Sequence, residues 1–236
     1  IINASLKSRS DEIKDGKIMI NKKIFIACDT KNLNQVRNII KNTQTKKLNI
    51  GYKFGLEFFY SKSGRSFLSK INKNKTIFLD LKLNDIPNTC VSAVNALKDL
   101  KNIKYLTVHI NGGYEMLKAV KKTARKINKK LKILGVTVLT SFSNKTLKKI
   151  GHTRSIKNLV IHQAKLAKSA GLDGIVCSAK EAQAAVNAVK YSPTGTRGVG
   201  LYRAQSYGKK FEEYMKWVEE ESIVVVQIEH IDSVQQ

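Results

Sequence analysis

Cysteine is scarce in this chain and does not cluster. The three residues, Cys28, Cys90 and Cys177, lack the CxxC spacing of a metal site, and their odd number argues against a disulfide framework. They read as small buried or half-buried thiols in a reducing cytoplasm, where disulfides seldom persist. Aromatic residues are modest at 7%. No apolar run approaches the roughly 20 residues that span a membrane as a helix. The opening stretch "IINASLKSRSDEIKDGKIM" lacks the apolar centre of a secretory signal, so a cytoplasmic location is expected. It begins with Ile1 rather than Met, which fits a fragment or a processed product. Residues 1–19 are expected to be a flexible leader outside the folded part.

Acidic residues are also few. Against 43 Lys and Arg stand 18 Asp and Glu, a formal net charge of +25. Clustered cations would suit a nucleic acid, whose phosphates they neutralise. These lysines instead recur from "NKK" at 21 to "GKK" at 208, with no single long block and little aromatic interleaving. That is the pattern of solvated helix faces. Charge of this kind speaks to association and solubility rather than fold, so nucleic acid is not the expected partner. A small anionic substrate fits the same charge. A non-catalytic basic binding protein is the competing reading.

What the chain does have is rhythm. Its 236 residues, 42% hydrophobic, suit one larger domain. Apolar runs of strand length alternate with amphipathic stretches of helix length: "IFIAC" (24–28), "LNIGYKF" (48–54), "TIFLDLKL" (76–83), "IKYLTVHI" (103–110), "LKILGVTVL" (131–139) and "DGIVC" (173–177). Helices are expected over about 31–42 and 61–71, and from Pro87, a residue favoured in a helix's first turn. Such alternation predicts βαβ units and a parallel sheet. The spacing is that of a (β/α)8 TIM-type barrel. A doubly wound sheet is the architectural alternative.

In either architecture, reactive groups sit at the C-terminal ends of strands. The polar residues there are Asp29, Lys53, Asp80 with Lys82, His109 and Thr140, and together they suggest one ring around a mouth. Asp80 and Lys82 are two apart, so on a regular strand they share a side. Asp85 follows in the loop. Buried charge is unfavourable unless paired or used. A Lys–Asp–Lys–Asp array satisfies itself and leaves a cation at a defined point, as chemistry that develops a carbanion requires. A structural salt-bridge network is the plainer alternative.

The stretch "FLDLKLNDIPNT" (78–89) closely resembles the D-x-K-x-x-D signature of the orotidine 5′-phosphate decarboxylase family, which makes UMP. "IACD", "YKFGLEFF", "VHINGG", "GVTVLTS" and "GLDGIVCSAKEA" resemble its successive strand ends, in order. The likeness covers about residues 20–182. It implies a barrel, a nucleotide substrate, no metal or organic cofactor, and a homodimer with active sites at the interface. It further implies that Lys53, Asp80, Lys82 and Asp85 form the charged array. Lys82 would protonate C6 after CO2 leaves, with Asp80 against the substrate carboxylate. Asp29 and Lys53 would hold ribose hydroxyls and Thr140 the pyrimidine. Asp85, Ile86 and Thr89 would reach into the partner's site. Asn84 stands where many relatives have His.

After Ala182 that pattern breaks. The family's phosphate-gripping loop and Gly-Arg are not recognisable, although "SPTGTRG" echoes the loop, so no phosphate-binding residue is assigned. Residues 183–236 instead resemble part of the metal-dependent pyruvate aldolases of the HpcH/HpaI class, through "AVKYSPTGTRGVGLYRAQSYG" and "SIVVVQIEH". That likeness implies a weak metal candidate at Glu229, since a hard cation wants several oxygen ligands. The expectation is a chimeric chain with an incomplete barrel of about seven strands, the last drawn from a different barrel family, and with bare strand edges.

Overall fold

The computed structural model describes residues 13–14, 17–18, 23–45, 48–189 and 223–227. Seven strands form one sheet in sequence order: β1 (Lys23–Ala27), β2 (Asn49–Gly55), β3 (Thr76–Leu83), β4 (Ile103–His109), β5 (Lys132–Val136), β6 (Gly174–Ser178) and β7 (Ile223–Gln227). Every neighbouring pair is parallel. The sheet curls into a half-barrel. Residues Ile13–Lys14 and Lys17–Ile18 pair antiparallel, apart from this sheet.

Helices fill the connections, and four of them begin at a recognisable local device. In α1 (Leu33–Asn42), Asn32 caps the first turn by accepting from the N–H groups of Asn34 and Gln35. After the short α2 (Leu56–Phe59) and α3 (Gly64–Lys70), α4 (Pro87–Asn95) opens on a proline, as the sequence predicts. The fixed φ of proline suits the first helical position, where no N–H is needed. Next come α5 (Gly113–Ile127), α6 (Asn144–Lys149), α7 (Ile156–Ser169) and α8 (Ala179–Val189), with Ser143 and Ser155 capping α6 and α7.

Strand positions match the sequence expectation closely, with one shortening. β5 ends at Val136 rather than at 139. There Thr137 donates both its N–H and its Oγ1–H to Val176 O. The chain then turns, with Phe142 N–H donating to Leu139 O at 3.0 Å.

Two apolar cores result. The larger lies between helices and sheet and includes Val36, Phe54, Leu79, Leu106, Met116 and Val160. The smaller lines the concave side of the sheet, where Phe25, Phe78 and Leu134 pack with Tyr105 and Val176. Phe25 meets Phe78 and Tyr105 edge-on, each at 5.2 Å between centroids. Gly51 makes room for this ring, since a Cβ there would lie 2.5 Å from Phe25 Cε1. Side chains alternate along a strand, so the residues two further on, Asp80 above Phe78 and Thr107 above Tyr105, share that concave side. An aromatic floor therefore underlies the charged residues.

Candidate active site

Four of the predicted residues meet at the C-terminal ends of β1 to β3. Lys53 Nζ lies 3.4 Å from Asp29 Oδ2 and 3.5 Å from Asp80 Oδ2. Lys82 Nζ donates to the same Asp80 oxygen at 2.9 Å. The side chains of Lys53 and Asp80 are only 7% and 12% exposed. Pairing is therefore obligatory, because a lone buried ion is strongly disfavoured. Burial alone would raise the Asp80 carboxyl, but Lys82, Lys53 and Thr107 together hold it below the usual carboxylate range. Asp80 is accordingly an anion, and two ammonium groups converge on one of its oxygens. Such an arrangement stabilises negative charge developing beside Lys82 and supplies a proton at a fixed position.

The strand-alternation argument for Asp80 and Lys82 needs correction. Pairing between β3 and β4 matches Leu79 with Leu106 and Leu83 with Val108. Asp80, Leu81 and Lys82 thus stand opposite Thr107 alone, which is a bulge rather than regular pleating. Lys82 takes φ of 47° and is the sole non-glycine residue with positive φ among the described residues. That backbone is unfavourable for lysine by about 1–2 kcal/mol, so strain sits at the residue carrying the reactive cation. Lys82 reaches Asp80 because the strand is bent here.

Thr107 was not singled out by sequence reasoning. Fully buried, it donates from Oγ1 to Asp80 Oδ1 at 2.9 Å and accepts from the Lys82 N–H at 2.9 Å. A signal existed: Thr107 is a polar residue on the inward register of β4, between Tyr105 and His109. His109, the last residue of β4, is half-buried beside this group, and its Nδ1 is buried with no partner among the described residues. Burial, with help from Lys82, lowers its pKa below the ordinary value, so the ring is neutral. Cys28, next to Asp29, is pushed up to about 12 by burial and by that carboxylate. It is no nucleophile at neutral pH.

Asp85 does not join the array within one chain. Its Oδ1 accepts from the Ile86 N–H at 2.7 Å, and Asp85, Ile86 and Thr89 are all exposed at the start of α4. Ile86 is 66% exposed, with Leu56 and Tyr60 also uncovered. Thr140 is exposed in the turn after β5. The segment holding "SPTGTRG" and the metal candidate Glu229 lie outside the described residues. Among the described residues, no three His, Cys, Asp or Glu gather as a metal site, and no helix is long and apolar enough to cross a membrane.

A half-barrel bearing a lysine–carboxylate array at its strand ends has counterparts among known proteins. The chain belongs to the Orotidine 5′-phosphate decarboxylase / HUMPS family, whose model matches residues 22–226. That match continues past Ala182, where the strand-end motifs cease to resemble the family's. Curated relatives sharpen the family to one enzyme name. The Orotidine 5′-phosphate decarboxylase of Wolbachia sp. subsp. Brugia malayi (strain TRS) is 48% identical over 161 residues, covering 68% of this chain and 69% of the relative. That of Ehrlichia canis (strain Jake) is 40% identical over 160 residues, 68% of each. Among solved structures, Orotidine 5′-phosphate decarboxylase from Lactobacillus acidophilus superposes with a TM-score of 0.65 at 28% identity, over 86% of this chain and 89% of that one.

Proposed function

We propose that this chain decarboxylates orotidine 5′-phosphate to UMP and CO2, a reaction of pyrimidine biosynthesis. The observation that carries the reading is the convergence of Lys53 and Lys82 on Asp80 Oδ2 at the strand ends. Family membership and the names of the relatives support it. In this reading the bond from C6 to the carboxylate breaks and CO2 departs. The electron pair left on C6 takes a proton from Lys82 Nζ. The fixed ammonium favours that pair more strongly than it favours the substrate, which is the requirement for acceleration. Asp80, already anionic, sits against the substrate carboxylate and disfavours the bound ground state. Asp29 and Lys53 hold ribose hydroxyls, and Thr140 contacts the pyrimidine.

We assign Asp85, Ile86 and Thr89 to a second copy's site in a homodimer. Their exposure at the head of α4, where Ile86 is 66% exposed, supports a face that a partner covers. The aldolase likeness of residues 183–236 stands as a proposal about the origin of that segment, carried by its sequence alone.

Turnover of orotidine 5′-phosphate, followed by loss of absorbance, and calorimetric titration with 6-hydroxy-UMP, an anionic mimic of the carbanion, test the assignment. Turnover that disappears in Lys82→Ala is the expected result. A folded protein that neither turns over the substrate nor binds the mimic would overturn it. Sedimentation equilibrium showing only monomer would remove the shared site.

A further inference from the structure

Three residues of β3 face one residue of β4, and that one residue handles the polar consequences of the mismatch. Leu79 and Leu83 pair with Leu106 and Val108, leaving Asp80, Leu81 and Lys82 against Thr107. A bulge frees ladder groups from their regular partners. Here the freed Lys82 N–H donates to Thr107 Oγ1, and that hydroxyl donates onward to Asp80 Oδ1, both at 2.9 Å. A hydroxyl has one proton to give and lone pairs to accept with. Thr107 therefore serves both ends of the bulge at once, which valine of the same shape cannot do.

The consequences reach the reactive cation. Asp80 has two oxygens, and Thr107 occupies Oδ1, so Oδ2 is left facing Lys82 and Lys53. The backbone of Lys82, in its left-handed conformation, is fastened to the same hydroxyl. We infer that Thr107 is a positioning residue for the proton donor, its hydroxyl fixing the left-handed backbone of Lys82 and the orientation of Asp80 in one step. It touches no reacting atom. Its effect passes through Lys82 and Asp80, and its kinetic expression rests on the decarboxylase reading above. Thr107 is fully buried, so water does not replace the hydroxyl. The hydrogen bond to Asp80 is also among the influences that keep that carboxyl ionised.

Two substitutions isolate the hydroxyl. Thr107→Val keeps the shape and removes both hydrogen bonds; Thr107→Ser keeps the hydroxyl and loses a methyl. Losing a hydrogen bond to a charged group lowers kcat about ten- to a hundredfold in Thr107→Val. KM changes little, because the ribose contacts of Asp29 and Lys53 are untouched. Thr107→Ser recovers most of the rate. The second readout needs no turnover: carbon-13 resonances of the Asp80 carboxyl titrate at higher pH in Thr107→Val and as in the parent in Thr107→Ser. Should Thr107→Val fail to fold, Thr107→Cys gives a comparable contrast with serine, since its larger thiol is only a weak hydrogen-bond donor and acceptor.

Parent-like kcat and an unmoved Asp80 titration in Thr107→Val would overturn the inference. So would equal losses in the serine and valine variants, which would reduce Thr107 to packing. A folded parent protein that neither turned over the substrate nor bound the mimic would sink the decarboxylase reading instead, and the carboxyl titration alone would then decide whether Thr107 orients Asp80.

Discussion

Replacing Asp80 by asparagine removes a charge and almost no volume, so its effect isolates the electrostatics of the array. Lys53 Nζ has two carboxylate neighbours at nearly equal distance, 3.4 Å and 3.5 Å. They are not equivalent. The Asp29 side chain is 55% exposed and Asp80 only 12%, so water screens the attraction of Asp29 far more. Asp80 is the principal partner of a cation that is itself 7% exposed. Removing one partner of a buried pair destabilises by about 3–5 kcal/mol. Asp29 remains, and Lys82, a third exposed, can turn to solvent, so Asp80→Asn should lose about 3 kcal/mol at neutral pH. Urea unfolding of both proteins measures the difference. Adding Lys53→Met to Asp80→Asn removes the stranded cation and should return much of the loss.

The pH dependence has a definite sign. The Asp80 carboxyl is held lower in the folded chain than in the unfolded one, so the unfolded state takes up its proton first as acid is added. The stabilisation is therefore complete above the unfolded value, about 3.9, and is lost as pH falls through the folded value. The gap between parent and Asp80→Asn should be constant near neutrality and close in acid. A neutral-pH difference below about 0.5 kcal/mol, the size of an ordinary surface change, would refute this reasoning. So would a gap that persists in acid, or a double variant no more stable than Asp80→Asn.

Two further outcomes follow from the cores. Phe25→Ala empties the centre of the aromatic floor and should cost about 3–5 kcal/mol, lowering Tm by about 10 °C in a chain of this size; calorimetry of Phe25→Leu should show a clearly smaller drop. Cys28 and Cys177 are both pushed up to about 12, by burial first and by Asp29 and Glu181 respectively. They should not react with a thiol-specific disulfide reagent at mildly alkaline pH until denaturant is added.

The parts of the site that could be read in advance were those where a residue type contradicts its surroundings. Asp80 and Lys82 interrupt an apolar run, and the run itself was bounded correctly at Thr76 and Leu83. Lys53 and Asp29 stood out in the same way at neighbouring strand ends. What could not be read was register. The bulge depends on how β3 aligns with β4, two segments paired across the sheet, and local alternation contains no count of the residues opposite. Thr107 was legible only as a polar residue on the inward register of β4, and its hydrogen bonds to Asp80 and Lys82 depend on that same alignment. Asp85 stood out as a charge in the loop after β3, while Ile86 and Thr89 followed only from the family resemblance, and the exposure of all three at the head of α4 emerges only from the fold. The early end of β5 turned on Thr137 finding Val176 O, again a contact between distant segments.

Because strand order in the sheet equals order along the chain, each βα unit docks on the one synthesised just before it. Asp29, Lys53, Asp80, Lys82 and Thr107 all belong to the first four units, and the aromatic floor beneath them draws Phe25, Phe78 and Tyr105 from the same stretch. Domains tend to fold from the N-terminus as the ribosome delivers them, at about 5–20 residues per second. The order of the sheet thus lets the costly step, gathering four charges over an apolar base, proceed once residue 109 has emerged, while the rest of the chain is still being translated. The edge of β4 is covered by the next unit in the chain, through β5, where Tyr105 pairs with Lys132 and His109 with Val136.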